Sequence, residues 1–347
     1  MALFDNMQTG GESLFKDESV LDFDYLPGLL PYRENQQAYI AECIKPLAQG
    51  RKGKNLLIRG APGIGKTSCV KYVFRELEGA TDDIKPVFIN CWKKQTTNAI
   101  LADLANQLGA IGAQYKNNEE LWEQIYKAVS RSKGIAIALD EVDKAKEYDF
   151  LYQIAENLKT YTLLMITNEK EFLAGMDQRI RSRLVVEELE FAAYKRSEVE
   201  GILEARKKAA FVLGAWSKEA FAMVVDKCYS KGDVRVGVAL LREAGRAAES
   251  EGAKKVTVEH VMSSKASMVD VQASDLDERE KRILNLIRAN KGIESGKLAE
   301  KLKGEGLDVP ESTLRRILQK LEKAGYIFRE PAKTDTGGQT MKHYVDE

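Results

Sequence analysis

The feature that most restricts the fold of this chain is a glycine-rich octapeptide that follows a short apolar run. Residues 55–59 read Asn-Leu-Leu-Ile-Arg, and residues 60–67 read Gly-Ala-Pro-Gly-Ile-Gly-Lys-Thr. The spacing GxxxxGK[ST] is that of a phosphate-binding loop, which joins a buried strand to a helix. Its glycines let backbone N–H groups turn toward phosphate oxygens, and the dipole of the following helix favours negative charge. The pattern therefore predicts a nucleotide-binding α/β fold.

The polar residues of the octapeptide have expected roles at the phosphates. Lys66 is expected to reach the β- and γ-phosphates, and the Thr67 hydroxyl is expected to ligate Mg2+. The expected cofactors are therefore ATP or ADP together with Mg2+. The residues expected to surround the phosphates are the loop and the serine after it: Gly60, Ala61, Pro62, Gly63, Ile64, Gly65, Lys66, Thr67 and Ser68.

Short apolar runs alternate with longer helical segments up to residue 191. After the run at 55–59 they lie at residues 87–90, 135–139 and 162–167, with a possible fifth at 185–191. Strands separated by helices of this length predict a mainly parallel sheet that is covered on both faces.

Polar residues follow two of the predicted strands. Asp140 and Glu141 come directly after residues 135–139, at the carboxyl end of a strand, where parallel sheets bind ligands. Asp140 is expected to hold Mg2+, directly or through water, and Glu141 to polarise the attacking water. Two such residues can otherwise mark a solvated turn. Asn168 follows the next strand and could bond the lytic water or the γ-phosphate, or cap the following segment.

The overall charge gives no sign of a nucleic-acid partner. Lysine plus arginine and aspartate plus glutamate each number 53, so any DNA-binding surface must be local. The four cysteines lie far apart without a CxxC pair, which predicts buried reduced thiols rather than a zinc site. The start of the chain is acidic, and no apolar stretch approaches ~20 residues. A soluble, intracellular protein without a membrane partner is therefore expected.

The predicted strands end near residue 192, and helical patterns follow. Predicted helices cover residues 197–211, 218–228, 234–249 and 257–265, and a linker is expected at 268–275. The expected division is an N-terminal arm at 1–28, an α/β core at 29–195, a helical domain at 196–268 and a third domain at 276–347.

The third domain has the pattern of a winged helix-turn-helix. Predicted helices at 277–290, 296–303 and 310–324 precede two predicted strands at 326–330 and 341–345, bridged by a turn with Gly337 and Gly338. In the last of these helices one apolar stripe leaves the polar side chains facing outward, which is the layout of a recognition helix. The stripe consists of Leu314, Ile317, Leu318 and Leu321.

Basic residues are enriched in this domain. Residues 310–345 hold seven basic residues against four acidic ones. The basic side chains would contact phosphates, and the outward helix residues would read base edges. The residues expected to contact DNA are Ser312, Thr313, Arg315, Arg316, Gln319, Lys320, Lys333 and Lys342. Winged helices also bind proteins, and basic helix faces are often only solvated, so this domain alone leaves these alternatives open.

Together these motifs resemble the archaeal initiator family, which is related to the eukaryotic origin recognition complex and the cell-division-cycle loader within the AAA+ superfamily. Besides the phosphate loop, the resemblance includes Leu-Leu-Pro-Tyr-Arg-Glu at 29–34, Ile-Asn-Cys at 89–91, Leu-Asp-Glu-Val-Asp-Lys at 139–144 and Ile-Thr-Asn at 166–168. It implies an α/β AAA+ core, an α-helical lid and a C-terminal winged helix.

The resemblance also implies roles for residues outside the phosphate loop. Tyr32 and Arg33 lie in the motif that usually holds the adenine. The Gly-Asp-Val-Arg sequence at 232–235 is similar to the start of the lid helix that carries the second sensor. Arg235 is therefore expected at the nucleotide phosphates, with a salt bridge near the helix end as the alternative.

Residues 176–184 are similar to the stretch that carries the arginine acting in trans on a neighbour's nucleotide. Arg183 occupies the position that the family pattern favours, and Arg179 is the alternative. Arginines after a short turn could also be surface charges or DNA contacts.

The resemblance implies an ATP-dependent replication initiator in the cytoplasm, associated with the nucleoid. Its expected partners are double-stranded origin DNA, another copy or a paralogue, and the replicative helicase that it would help to recruit or load. Hydrolysis is expected to be slow and to reset a switch, because a neighbour's arginine completes the site. The alternatives are a nucleotide-gated regulator of transcription or of a mobile element, and a scaffold whose ATPase residues are relics.

Overall fold

The structure is a computed structural model that describes residues 13–264, 276–290, 292–305, 307, 309–323, 326–333 and 339–345. Three predicted features lie outside the described residues. They are the first part of the N-terminal arm at 1–12, the linker at 268–275 and the glycine turn of the wing at 334–338.

Strands separated by helices extend to Glu190, and only helices follow from Arg196 to Ser263 among the named elements. The helices are α1 (Glu34–Ile44), α2 (Lys66–Ala80), α3 (Thr97–Gln107), α4 (Asn118–Val129), α5 (Asp149–Asn157), α6 (Gln178–Leu184), α7 (Arg196–Ala210), α8 (Lys218–Lys231), α9 (Val234–Ser250), α10 (Val258–Ser263), α11 (Glu278–Ala289), α12 (Ser295–Gly304) and α13 (Glu311–Lys323). The strands are β1 (Asn55–Arg59), β2 (Ile84–Asn90), β3 (Gly134–Asp140), β4 (Tyr161–Thr167), β5 (Val186–Glu190), β6 (Ile293–Glu294), β7 (Ile327–Lys333) and β8 (Gln339–Val345).

The first five strands form one parallel sheet in the order β2-β3-β4-β1-β5. Every residue of β3 and β4 is buried, as expected for central strands of a sheet covered on both faces. The predicted parallel α/β core is confirmed. Strand β2 begins at Ile84, three residues before the predicted start at 87. It is an edge strand, and an edge tolerates the exposed Lys85 and the proline at 86 that interrupt the apolar run.

One hydrophobic core fills the space between this sheet and the helices that follow β2 and β3. Wholly buried side chains of α3, α4 and α5 meet β3 and β4 there, among them Ile100, Leu121 and Phe150. The same core includes Ile180 and Leu184 of α6. Burying these side chains stabilises the carboxyl edge of the sheet, where the predicted site lies.

The described chain divides into two compact units. One unit comprises residues 24–210 and 225–234 and holds the parallel sheet with α1 to α7. The other comprises residues 13–23, 211–224 and the chain from Arg235 onward, with most of α9, α10 and the winged helix. The predicted domain boundaries at 195 and 268 stay predictions.

Residues 13–23 of the predicted N-terminal arm are packed. Leu14, Val20 and Leu21 are buried, and the centroid of the Phe15 ring lies 4.6 Å from that of the Phe211 ring, with the planes tilted by 31°. Polar contacts add to this packing: Glu249 accepts hydrogen bonds from Ser13 Oγ at 2.6 Å and from the backbone N–H of Leu14 at 2.8 Å. Residues 13–23 therefore belong to the core of their unit.

The winged helix has its own core, which α11, α12 and α13 form with an antiparallel sheet of order β6-β8-β7. Strand β6 was not predicted, because two residues leave no recognisable sequence pattern. The predicted apolar stripe of α13 is buried: Leu314, Ile317, Leu318 and Leu321 are 0–7% exposed.

The four cysteines are buried, in agreement with the sequence analysis. Burial raises the pKa of the Cys43 thiol to about 11 and the pKa values of the Cys69 and Cys91 thiols to about 12. These thiols therefore stay protonated and poorly reactive. Among the described helices, none combines the length and apolarity needed to cross a membrane.

His343 of β8 is a buried titratable group in the winged helix. It is 1% exposed, and its Nε2 lies 2.8 Å from Ser295 Oγ. Burial, aided by the charge of Arg329, lowers the pKa of its imidazole from 6.5 to about 4. The neutral ring is therefore the form that the folded domain accommodates.

We expect the winged helix to lose stability as the pH falls from about 6.5 to about 4. The unfolded chain binds a proton at His343 near pH 6.5, whereas the folded domain binds it only near pH 4. Protonation therefore favours unfolding in this window, by up to about 3 kcal/mol. Hydrogen–deuterium exchange of β8 peptides against pH measures this loss. His343→Gln should remove the window, and an unchanged pH dependence in that variant would contradict the assignment.

Candidate functional site

The phosphate loop lies between the end of β1 at Arg59 and the start of α2 at Lys66. Gly63 and Gly65 adopt φ angles of +69° and +88°. Side chains disfavour this left-handed region, which is why the loop requires glycine at both positions. Ile64 between them is 1% exposed, so only its backbone is available to a ligand.

The Lys66 side chain is held within its own loop. Its ammonium group donates to the backbone oxygens of Gly60 and Ala61, both at 2.8 Å, and to Asn168 Oδ1 at 2.7 Å. Lys66 is 7% exposed. The predicted phosphate-binding lysine and the predicted polar residue after β4 are therefore in contact.

Thr67 and Asp140, the two predicted Mg2+ ligands, also meet. The Thr67 hydroxyl lies 3.1 Å from both carboxylate oxygens of Asp140, which is 6% exposed. Hydroxyl and carboxylate oxygens are the hard donors that Mg2+ prefers. The donor set therefore fits that ion.

Glu141 follows Asp140 in a tight turn. Its backbone has a φ of +51°, and it precedes a short 3-10 helix at Val142–Lys144. The backbone N–H of Lys144 donates to the Glu141 carbonyl at 2.9 Å. A non-glycine residue in this region is uncommon, and such residues concentrate at functional sites.

Arg33, which the resemblance assigns to nucleotide binding, supports the phosphate loop from the protein side. Its guanidinium donates to the carbonyls of Ile64 at 3.1 Å and Ala192 at 2.8 Å, and it lies 3.9 Å from the Tyr194 ring centroid. Arg33 is 4% exposed, whereas Tyr32 is 40% exposed and has a φ of +65°. Arg33 was predicted as a nucleotide-binding residue, but this supporting contact was not predicted.

The first residue of α9 and the residue before it reach the phosphate loop. The Val234 backbone N–H donates to the Gly63 carbonyl at 3.2 Å. A Cβ atom at Gly63 would lie 1.8 Å from Oδ1 of Asp233, which is 3% exposed. Arg235 is the next residue after Val234 and lies in the first turn of α9; its contact with nucleotide stays a prediction.

The three arginines of α6 are exposed and held in different ways. Arg183 pairs with Glu156 at 3.1 Å and lies 5.1 Å from the Tyr152 ring centroid. Arg179 pairs with Asp177 at 3.0 Å, and hydrogen bonds from this arginine lower the pKa of the Asp177 carboxyl. The geometry does not distinguish Arg183 from Arg179 as the arginine acting in trans.

The outward face of α13 carries most of the predicted DNA contacts. Ser312, Arg315, Arg316 and Gln319 are exposed, and Thr313 is half-buried. Arg315 pairs with Glu311 at 3.4 Å across one helical turn, and its side chain is 72% exposed. Such a pair contributes little stability and leaves the guanidinium available to a ligand.

Lys320 differs from the other candidates on α13. Its ammonium group bonds to Oε1 of Glu280, a buried carboxylate in the first turn of α11. Lys320 therefore has a structural role that the sequence did not reveal, and its DNA contact stays a prediction. In the wing, Lys342 is half-buried in β8, and Lys333 lies at the end of β7.

Three family models match consecutive parts of the chain. They are an AAA domain at residues 49–184, a Cdc6 AAA+ ATPase-type lid domain at 200–266 and a winged helix-turn-helix DNA-binding model at 276–327. With the fold and the site, they define an AAA+ ATPase that carries a Cdc6-type lid and a winged helix.

Similarity to individual proteins identifies the family within this class of ATPases. The chain is 30% identical over 305 residues to ORC1-type DNA replication protein 2 of Methanosarcina mazei, a match that covers 83% of this chain and 81% of that relative. It is also similar to the ORC1 protein of Aeropyrum pernix solved in complex with DNA, with a TM-score of 0.72, 28% identity, and coverage of 96% and 94%. Cdc6p of Pyrobaculum aerophilum, at 20% identity and a TM-score of 0.65, shares the fold over 95% and 94% of the two chains. The chain belongs to the family of ORC1-type DNA replication proteins.

We expect Gly63→Ala to weaken ADP binding by about tenfold or more, which corresponds to about 1.4 kcal/mol. The new methyl group would overlap Asp233 and strain a φ of +69°, so the phosphate loop would shift. Titration calorimetry measures the affinity. Gly50→Ala is the matched control, because Gly50 has a φ of +66° with nothing within 4 Å of an added Cβ. Equal affinities for Gly63→Ala and Gly50→Ala would show that the overlap has no effect.

Proposed function

We propose that this chain is an ATP-dependent replication initiator. The proposal rests on one observation. Lys66 and Thr67 of the phosphate loop contact Asn168 and Asp140, in a chain that also has a winged helix. The name of its relatives, ORC1-type DNA replication proteins, supports the same process. We propose that ATP binds at this loop and that its hydrolysis resets a conformational switch.

Each residue of the site has a proposed task in hydrolysis. Lys66 holds the β- and γ-phosphates, and Thr67 and Asp140 hold Mg2+, which would offset phosphate charge. Glu141 takes a proton from the attacking water, and Asn168 orients that water or the γ-phosphate. The contact between Asn168 and Lys66 supports this task, because it puts the amide beside a phosphate-binding group.

Residues outside the phosphate loop would make hydrolysis slow and conditional, report the bound nucleotide and contact its base. We propose that Arg183, or alternatively Arg179, completes the site of a neighbouring copy or paralogue, because both are exposed. An arginine supplied in trans makes hydrolysis depend on assembly. Arg235 would report the bound nucleotide through α9, and Tyr32 would lie near the base.

We propose that the winged helix binds double-stranded origin DNA. The exposed Arg315 and Arg316 support this, as does the similarity of the chain to the Aeropyrum pernix ORC1 protein, whose structure is a complex with DNA. Ser312, Thr313 and Gln319 would read base edges, and the lysines would contact phosphates. The chain would act in the cytoplasm at the nucleoid and help to recruit or load the replicative helicase.

We expect Arg315→Ala/Arg316→Ala to abolish binding of the chain at replication origins. Chromatin immunoprecipitation from cells of the source organism measures the occupied sites. Arg315→Lys/Arg316→Lys is the control, because lysine keeps the charge but loses the planar bidentate contact. This control should keep the salt dependence of DNA binding in vitro and lose sequence preference. Peaks at scattered promoters or within mobile elements would instead favour the nucleotide-gated regulator.

We expect Glu141→Gln to slow ATP hydrolysis by a factor on the order of 10² or more, because glutamine cannot accept the proton from water. ADP affinity should stay close to that of the unaltered protein, since Glu141 contributes no phosphate contact in this scheme. Single-turnover hydrolysis and calorimetry measure the two quantities. A Lys66→Ala variant that still binds ADP with full affinity would overturn the nucleotide site itself.

A further inference from the structure

A second carboxylate lies behind the predicted catalytic groups. Asp143 is in the 3-10 helix at Val142–Lys144, and its side chain is 2% exposed. Its Oδ1 accepts a hydrogen bond from Thr167 Oγ1 at 2.6 Å, and its Oδ2 lies 2.7 Å from the ammonium group of Lys144. A buried carboxylate is costly unless it is bonded in this way. None of the tasks proposed above uses Asp143 or Thr167.

Thr167 connects this carboxylate to the residues around Asn168. It is the last residue of β4 and is 1% exposed. While its hydroxyl donates to Asp143, the same oxygen accepts from the backbone N–H of Glu169 at 3.0 Å. The two residues on either side of Asn168 are therefore joined through one hydroxyl, and Asn168 itself reaches Lys66 at 2.7 Å.

The same carboxylate also anchors the turn that begins at Glu141. Asp143 lies two residues after Glu141, inside the turn that the bond from Lys144 N–H to the Glu141 carbonyl closes. Glu141 has a φ of +51°, a conformation that its surroundings must impose. The hydrogen bond that Thr167 donates to Asp143 therefore ties the segment after β3 to the end of β4.

We propose that Asp143 and Thr167 are positioning residues for ATP hydrolysis, whose mutual hydrogen bond fixes Asn168 and Glu141 relative to each other. The inference rests on the proposed hydrolysis at this site. Neither residue need touch the nucleotide. Nucleotide binding depends on the phosphate loop, whereas hydrolysis depends on the alignment of water with the γ-phosphate. Loss of this bond should therefore lower kcat and leave affinity almost unchanged.

The test compares two substitutions of Thr167. Valine has nearly the same shape but no hydroxyl, and serine keeps the hydroxyl. We expect Thr167→Val to lower kcat on the order of tenfold to a hundredfold, as misalignment of reacting groups does. KM and the Kd for ADP should stay within about twofold, and Thr167→Ser should restore most of kcat. The full chain is used, with ATP and ADP as the ligands.

Thr162→Val is the matched control for lost stability. Thr162 is in the same strand, is 0% exposed, and donates its hydroxyl hydrogen to the Cys43 carbonyl at 3.0 Å. It lies at the opposite end of β4 from the site. Thr162→Val therefore removes a comparable buried hydrogen bond, and we expect it to lower the Tm as Thr167→Val does while leaving kcat unchanged.

Asp143→Ala, which removes the carboxylate acceptor, tests the other partner of the bond. If the two residues act as a pair, the double variant Asp143→Ala/Thr167→Val should lose no more kcat than the more affected single variant.

The proposal is overturned if Thr167→Val keeps full kcat, if Thr162→Val lowers kcat equally, or if Thr167→Val loses ADP binding. The proposal is also overturned if the losses of kcat caused by Asp143→Ala and by Thr167→Val multiply in the double variant. A different result would overturn the proposed function instead. The unaltered chain would then hydrolyse ATP no faster than the Lys66→Ala variant.

Discussion

The proposed chemistry depends on one edge of the parallel sheet, where β1, β3 and β4 end side by side. The bond between Thr67 and Asp140 joins residues 73 positions apart, and the bond between Lys66 and Asn168 joins residues 102 positions apart. Both require the register in which β4 lies between β3 and β1. A slip of one residue in any strand would reverse the faces of its side chains and separate these groups. The buried apolar residues of the sheet therefore determine the geometry of the polar site.

Local patterns account for what the sequence could predict. The phosphate loop is recognisable because consecutive residues meet the steric and hydrogen-bonding demands of one turn. Asp140 and Glu141 are recognisable because they directly follow the wholly apolar run at 135–139. The recognition helix is recognisable because its apolar stripe has the period of a helix. The ends of strands were predicted less accurately where the position of a strand in the sheet overrides local preference. The start of edge strand β2, which contains a proline, is an example. The roles of the individual site residues stay predictions.

Contacts between distant residues account for what the sequence did not reveal. Arg33 supports the phosphate loop by donating to the carbonyl of Ile64, and it also donates to the carbonyl of Ala192, which is 159 positions away. Thr167 looked like the end of a strand, and no pattern linked it to Asp143. The packed segment at 13–23 was missed because its buried residues, such as Leu14 and Leu21, are too scattered to form a periodic pattern. These contacts depend on chain segments that only the fold brings together.

The bond between Lys320 and Glu280 limits which side chains of α13 can read base edges. With Lys320 tied to α11, the residues proposed to read bases lie between Ser312 and Gln319. Eight residues at 1.5 Å per residue span about 12 Å, which is roughly three to four base-pair steps of 3.4 Å. One recognition helix would thus specify only a very short sequence by direct contact. A longer recognition sequence would require the wing, the shape of the duplex or a second protein copy to contribute to specificity.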